Sequence, residues 1–241
     1  MIGVVEAPRA TFGTIDQLLR DRDAMLARIA AGKELARITR TMVATIAVAM
    51  AIVGAALGSY RGGVQIGYAA IKLPLVLLGT AALSAPALSA IGAALGRRSR
   101  LTADLALVIA ALAFGALLLA ACTPLILLGR ALDLSYHRMV LATVGMFALA
   151  GIASLRMVVH ALSLEAAPGR GSAVVGLCIV FALVGGQLSW ALRPYLVRPR
   201  ATEVVFVHDV EGSLFDAITG AFRSAQGIYT RDRAPLPGDD L

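Results

Sequence analysis

Five long apolar stretches, separated by short polar segments, set the pattern of this chain. Each stretch is almost free of charged residues, and the segments between them are rich in arginine, proline and glycine. About 20 apolar residues are enough for an α-helix to cross the roughly 30 Å hydrocarbon core of a bilayer. The pattern therefore predicts an all-α, polytopic membrane bundle of about five transmembrane helices. The predicted spans are 42–58, 74–95, 103–128, 139–155 and 172–192.

A shorter periodic segment precedes the first predicted span. Between residues 14 and 31, apolar side chains recur every three or four positions and charged side chains occupy the opposite face. This spacing is typical of an amphipathic helix. Thr14 and Gln17 match a capping box, so we expect the helix to begin at Thr14. Such a helix either lies in the headgroup plane or packs against the protein's own spans or a partner, and the pattern leaves both open.

The stretch 64–95 contains one lysine and two prolines, which predict a broken helix. A lysine at the bilayer centre costs at least about 2.5 kcal/mol, so we expect Lys72 to reach the membrane interface. The simplest arrangement is an interfacial helix over 65–73, with Pro74 in the first turn of the second span. Pro86 then kinks that span.

Two identical G-x-x-x-G segments, 54–58 and 92–96, lie within apolar stretches. Glycine at this spacing lets two helix backbones approach closely in a membrane, where lipid gives no hydrophobic reason for helices to associate. We expect these segments to pack helices within one chain, and a homodimer face is the alternative.

Composition narrows the class of protein further. Of 241 residues, 59% are hydrophobic and 15% are charged, whereas soluble domains contain about 25% charged residues. A soluble enzyme, a disordered chain and a disulfide-rich secreted module do not fit such a composition. Cys122 and Cys178 lie in apolar stretches without a neighbouring His or Cys, so the sequence shows no metal-ligand spacing.

The charge pattern predicts how the chain is oriented. There are 22 Lys and Arg against 15 Asp and Glu, and the basic residues flank the apolar stretches. This placement is typical of topology determinants and of contact with anionic headgroups, not of nucleic-acid binding. We expect an integral protein of a bacterial inner membrane, with residues 1–41 as a cytoplasmic N-terminal segment. Residues 42–192 would form the five-span domain, and residues 193–241 a polar tail.

Few residues within the apolar stretches carry chemistry. Arg156 and His160 lie four positions apart, hence on one face of the predicted fourth helix. We expect this pair at the membrane boundary, where such side chains bind lipid headgroups. The predicted spans contain a single Asp or Glu, Asp104 at the edge of 103–128, and no G-x-S-x-G, H-E-x-x-H or P-loop motif occurs. The sequence therefore predicts no catalytic site, no metal and no cofactor.

The most specific string is QLSWALRP, residues 187–194, at the end of the fifth stretch. Gln187, Trp190 and Pro194 lie on one helix stripe. Trp190 stands where an interfacial aromatic anchor is expected, and Pro194 stops the helix. The alternative is a polar cluster, including Arg193, that docks a partner or the tail.

This string, with AIKLP at 70–74 and APAL at 85–88, resembles a family of small bacterial membrane proteins similar to Yip-type (Ypt/Rab-interacting) proteins. The resemblance covers roughly residues 14–222, with Tyr195 where members typically carry Phe. It implies a cytoplasmic N-terminal segment, about five spans and no established catalytic activity. Eukaryotic relatives bind small GTPases and one another in membrane traffic, which reaches this chain only by analogy.

These observations predict a non-enzymatic membrane scaffold or an accessory subunit of a membrane protein complex. Its expected partners are the bilayer and other membrane proteins or a second copy, with no nucleic acid. One alternative is a transporter or channel component in which the broken helix 64–95 lines a polar path. Another is a lipid-handling protein that binds headgroups through Arg156 and His160. The residues expected to fix the architecture or to contact a partner are Lys72, Pro74, Pro86, Gln187, Trp190, Arg193 and Pro194.

Overall fold

The structure, a computed structural model, describes residues 11–94, 100–134, 136–164 and 170–191. Throughout these ranges the chain is helical and contains no strand, which confirms the predicted all-α class for this part. The predicted tail, 193–241, lies outside the described residues. The helices are α1 (Thr11–Arg20), α2 (Arg22–Ala30), α3 (Leu35–Gly58), α4 (Val64–Ala94), α5 (Leu101–Ala121), α6 (Thr123–Ala131), α7 (Tyr136–Ser163) and α8 (Arg170–Ala191).

Four helical stretches are long and apolar enough to cross a membrane. They are Leu35–Gly58, Val64–Ala94, Leu101–Ala131 and Leu141–Ser163. Each overlaps one of the first four predicted spans. In α8 the apolar stretch among the described residues is shorter, Val174–Gly186. The fifth span therefore stays a prediction.

The predicted break at Pro74 is absent. α4 runs as one helix from Val64 to Ala94, with Pro74 and Pro86 inside it. The side chain of Lys72, expected to reach the membrane interface, is fully buried within the protein. α4 packs against α3, α5 and α8, and such neighbours let a membrane helix continue across a proline.

The N-terminal segment forms two helices where the pattern predicted one. α1 already begins at Thr11, so Thr14 is buried inside a helix and is not its N-cap. The chain breaks at Asp21, whose Oδ1 accepts a hydrogen bond from the backbone N–H of Ala24 at 3.2 Å and caps α2. The two helices, here called the N-terminal hairpin, contact α3 and α5. The hairpin buries Leu18, Met25, Leu26 and Ile29 in the core.

α3 and α4 approach each other through glycine and run antiparallel. A Cβ on Gly54 would overlap the carbonyl of Ala69, and one on Gly58 would lie 2.5 Å from the carbonyl oxygen of Gln65. Side chains of any size would push the two backbones apart. The first G-x-x-x-G segment therefore packs within the chain, as expected.

α8 runs antiparallel along α4, and α7 along α5. A Cβ on Gly176 would lie 2.8 Å from Ile91, and one on Gly79 would lie 2.8 Å from Leu188, so both ends of α8 are in contact with α4. α5 packs against α3, α4 and α7 and forms the centre of the bundle. At one end of this bundle α3 and α5 begin and α7 ends; we call it the hairpin end.

Candidate functional site

A charged pocket of about 610 Å³ opens between the N-terminal hairpin, α5 and α7. Six of its ten lining side chains are ionisable and the other four are apolar. The ionisable ones are Arg20, Asp21, Arg22, Asp23, Arg156 and His160. The apolar ones are Leu26, Phe114, Ala153 and Met157.

Local helix geometry explains how these side chains meet. On α7, Ala153, Arg156, Met157 and His160 follow the spacing i, i+3, i+4 and i+7, so all four project from one stripe. On the other side, the break at Asp21 turns the chain between α1 and α2. Two arginines and two aspartates in succession are thereby placed at the corner of the hairpin.

Two contacts fasten the corner of the hairpin to the bundle. Nε2 of His160 lies 2.8 Å from Oδ1 of Asp23, which joins α7 to α2 across 137 positions of sequence. The guanidinium of Arg22 lies over the ring of Phe114, 4.6 Å from its centroid. A cation at this distance is attracted by the negative face of the ring. The pocket is therefore built by tertiary contacts between its walls.

Further contacts hold the hairpin in shape. Arg28 on α2 donates to Oε1 of Gln17 on α1 at 2.5 Å, and it also pairs with Glu34 just before α3. Arg20 forms an ion pair with Asp16 one turn earlier, at 2.6 Å. Both members of that pair are largely exposed, so it adds little stability but compensates the charge of Arg20.

Arg156 differs from the other arginines of the pocket. Its side chain is exposed, and no hydrogen bond or ion pair joins it to another residue in the described part of the chain. It lies seven positions before Ser163, the last residue of α7, which is about 10 Å along the helix axis. The charged pocket thus lies near the hairpin end of the bundle.

The arginines of the pocket provide donors for an anion, and the carboxylates of Asp21 and Asp23 provide acceptors for a cation. Guanidinium groups present planar sets of N–H donors that match the oxygens of phosphate and carboxylate. Within the described ranges, no group of three His, Cys, Asp or Glu side chains lies close enough to hold a metal ion. A second cavity of about 220 Å³, between α5, α7 and α8, is lined by apolar residues together with Ser154 and Cys178.

The structure distributes the residues predicted from sequence unevenly. Arg156 and His160 line one pocket, as their spacing indicated. Lys72, Pro74 and Pro86 lie inside α4, and none of them lines that pocket. Gln187 and Trp190 fall in the last turns of α8. Their side chains, and all of Arg193 and Pro194, lie outside the described residues.

The sequence pattern did not identify the opposite wall of the pocket. Residues 20–23 alternate arginine and aspartate, and helical periodicity placed Arg20, Asp21 and Asp23 on the polar face of a single amphipathic helix. The signal for a corner was Asp21 itself, because aspartate favours the N-cap position of a helix over its interior. Nothing in the sequence near Asp23 or near His160 indicates that these two residues are in contact.

No protein-family model, no curated protein and no solved structure matches this chain. The resemblance to Yip-type proteins therefore stays a prediction. The architecture by itself defines the class of protein: an all-helical chain, in its described part, with four helices able to cross a membrane.

Proposed function

We propose that this protein is a non-enzymatic integral membrane protein that binds the phosphate of a lipid headgroup in the charged pocket. The observation that carries the proposal is the convergence of Arg22, Arg156 and His160 in one pocket near the hairpin end of the bundle. Charge-assisted hydrogen bonds from arginine to phosphate are among the stronger polar contacts in proteins.

The surroundings of the pocket favour a lipid over a soluble phosphate. Ile152 and Val159 on α7 are exposed apolar side chains, and each lies within one helical turn of Arg156. Leu26 and Met157 form part of the pocket wall itself. A lipid whose acyl chains lie along the exposed face of α7 would thus reach the pocket with its headgroup.

The same proposal includes a topology. α8 has 22 residues, which is about 33 Å of helix and enough to cross a bilayer. It contacts α4 along its length. We propose that α8 is the fifth span, that the protein lies in a bacterial inner membrane, and that the hairpin end faces the cytoplasm. Lys and Arg are more frequent in the N-terminal segment and in the loops on its side than in the opposite loops, which supports this orientation; the six arginines after Leu192 would lie on the opposite side.

Lipid binding can be tested by native mass spectrometry of the full chain released from nanodiscs. The nanodiscs contain neutral lipid and a small fraction of a phospholipid with a free anionic phosphate group. We expect Arg156→Gln to lower the retained phospholipid about tenfold, the effect of one charge-assisted hydrogen bond. Arg130→Gln is the matched control, because Arg130 is an exposed arginine in α6, away from the hairpin end.

Equal retention by the two variants would contradict the proposal. A second arm adds inorganic phosphate at millimolar concentration. If free phosphate displaces the lipid completely at that concentration, the ligand is a soluble anion and the assignment to lipid is wrong.

A membrane scaffold or accessory subunit is the second candidate. It is favoured by α7, which packs against the bundle on one side and leaves Leu141 and Leu149 about 70% exposed. Gly145 on the same face has open space around it, so a helix of another membrane protein can approach closely. Purification in mild detergent should retain a partner that Gly145→Trp releases, and a chain that is always monomeric and alone would contradict this candidate.

The geometry gives less support to a transporter. The feature expected to line a polar path was the break around Lys72, and α4 is continuous there. The Lys72 side chain also has no water-accessible surface.

A further inference from the structure

We infer that the charged pocket recognises a zwitterionic headgroup: a phosphodiester that carries a primary ammonium group. This inference rests on the proposed function and narrows the class of lipid. It starts from a feature that binding of a simple anion leaves unexplained, namely that Asp21 and Asp23 share the pocket with the arginines.

The positive and negative side chains of the pocket balance each other. Arg20 is compensated by Asp16, 2.6 Å away. The charges that remain are the guanidiniums of Arg22 and Arg156 and the carboxylates of Asp21 and Asp23. A ligand with only negative charge would be attracted by the two guanidiniums and repelled by the two carboxylates. A ligand that carries one positive and one negative group can bind the guanidiniums and the carboxylates at the same time.

The carboxylates and Arg156 lie on different walls of the pocket. The carboxylates belong to the corner of the hairpin, whereas Arg156 projects from α7 on the opposite wall. Asp21 uses Oδ1 to cap α2, and Asp23 uses Oδ1 to bind His160. No hydrogen bond among the described residues occupies Oδ2 of either side chain, so one oxygen of each carboxylate can accept a donor from a ligand.

The lining of the pocket favours a primary ammonium group over a quaternary one. Proteins recognise quaternary ammonium groups with the faces of aromatic rings. Phe114 is the sole Phe, Tyr or Trp among the described residues that line the pocket, and the guanidinium of Arg22 already covers its ring. The pocket instead offers carboxylate oxygens, which accept hydrogen bonds from the three N–H donors of a primary ammonium.

The size of the pocket agrees with this class of ligand. About 610 Å³ lies inside the roughly 300–1,000 Å³ of pockets that bind small molecules. A phosphoethanolamine-type headgroup has its two charges separated by a short chain, so both fit in a pocket of this size. Its phosphate would contact Arg156 and its ammonium the carboxylates of Asp21 and Asp23.

The test compares three phospholipids with identical acyl chains: phosphatidylethanolamine, phosphatidylcholine and phosphatidylglycerol. Each is exchanged into nanodiscs that hold the full chain, and the retained lipid is counted by native mass spectrometry. We expect the ethanolamine lipid to be retained about tenfold more than either of the others. In Asp21→Asn/Asp23→Asn this preference should disappear, and retention of the glycerol lipid should rise. Asparagine caps a helix nearly as well as aspartate, so the hairpin keeps its fold.

Two further variants make the outcomes distinct. Asp133→Asn removes an exposed carboxylate after α6, away from the hairpin end, and should leave the preference unchanged. Arg156→Gln should lower retention of all three lipids, since all three contain a phosphodiester.

If the glycerol lipid is retained as well as the ethanolamine lipid, and Arg156→Gln lowers both, phosphate binding stands and the zwitterion inference is overturned. If no lipid is preferred and Arg156→Gln changes nothing, the proposed function itself fails. If soluble phosphoethanolamine binds as tightly as the lipid, the ligand is a soluble compound and the lipid class is wrong.

Discussion

Gly54 and Gly58 set how closely α3 approaches α4. At both positions the nearest atoms belong to the backbone of the facing helix, not to a side chain that could rotate away. Apolar side chains gain nothing by leaving lipid for a helix interface, so close backbone contact is what holds these helices together. A single methyl group at this point therefore has a large effect.

Gly54→Ala should destabilise the protein by about 1–3 kcal/mol, the usual cost of overpacking a close contact. Gly67→Ala is the matched control, because a Cβ on Gly67, on the exposed side of α4, meets nothing within 4 Å. That change should be neutral or stabilise by up to about 1 kcal/mol through helix propensity. Thermal unfolding in detergent, followed by circular dichroism, measures both. Equal stability of the two variants would show that the helices do not meet at Gly54.

At the scale of elements, the N-terminal hairpin depends on a single turn. Asp21 ends one helix and caps the next through its bond to the N–H of Ala24. Arg28 then ties α2 back to Gln17 on α1. Without the cap, the first backbone N–H groups of α2 lose a partner, and the corner that carries the pocket's carboxylates loosens.

Asp21→Ala should therefore weaken the hairpin by about 0.5–2 kcal/mol, the cost of removing an N-cap. Amide exchange in residues 22–30 should accelerate by a factor between about 2 and 30. Exchange in the middle of α5 should not change, because Leu107–Ala113 lie in the core of the bundle. Asp21→Asn, which keeps the cap, should exchange like the parent chain; if it exchanges as fast as Asp21→Ala, the side-chain cap is not what holds the corner.

For the molecule as a whole, the number of crossings decides on which side the tail lies. Four helices satisfy the length and hydropathy of a span, and α8, the proposed fifth, packs along α4. An odd number of crossings places the N-terminal hairpin and the residues after Ala191 on opposite sides of the membrane.

Reporter fusions should show this difference directly. With five spans, alkaline phosphatase fused after Leu241 should be active and green fluorescent protein at the same site should be dark. The same reporters fused after Leu164, at the end of α7, should give the reverse. A fluorescent fusion after Leu241 would mean that α8 does not cross.

The sequence predicts the parts of this fold that depend on local pattern. The four apolar stretches coincide with four helices because hydropathy and length alone decide whether a helix fits a bilayer. The burial of Lys72 was not predicted because it depends on the neighbours α3, α5 and α8, which periodicity does not reveal. The charged pocket was not predicted for the same reason, because its walls meet through residues such as Asp23 and His160, which are 137 positions apart in the sequence. Arg156 and His160 were found together because a helix repeat links them.

The contact between Asp23 and His160 also constrains how the protein is made. The N-terminal hairpin is synthesised before the helices that it contacts: α3 follows it directly, whereas α5 and α7 come later. The apolar face of the hairpin, which includes the fully buried Leu18 and Met25, is therefore only partly covered until α5 is in place. A membrane surface can hold an amphipathic segment of this kind. The contact between Asp23 and His160 can form only after α7 has been synthesised.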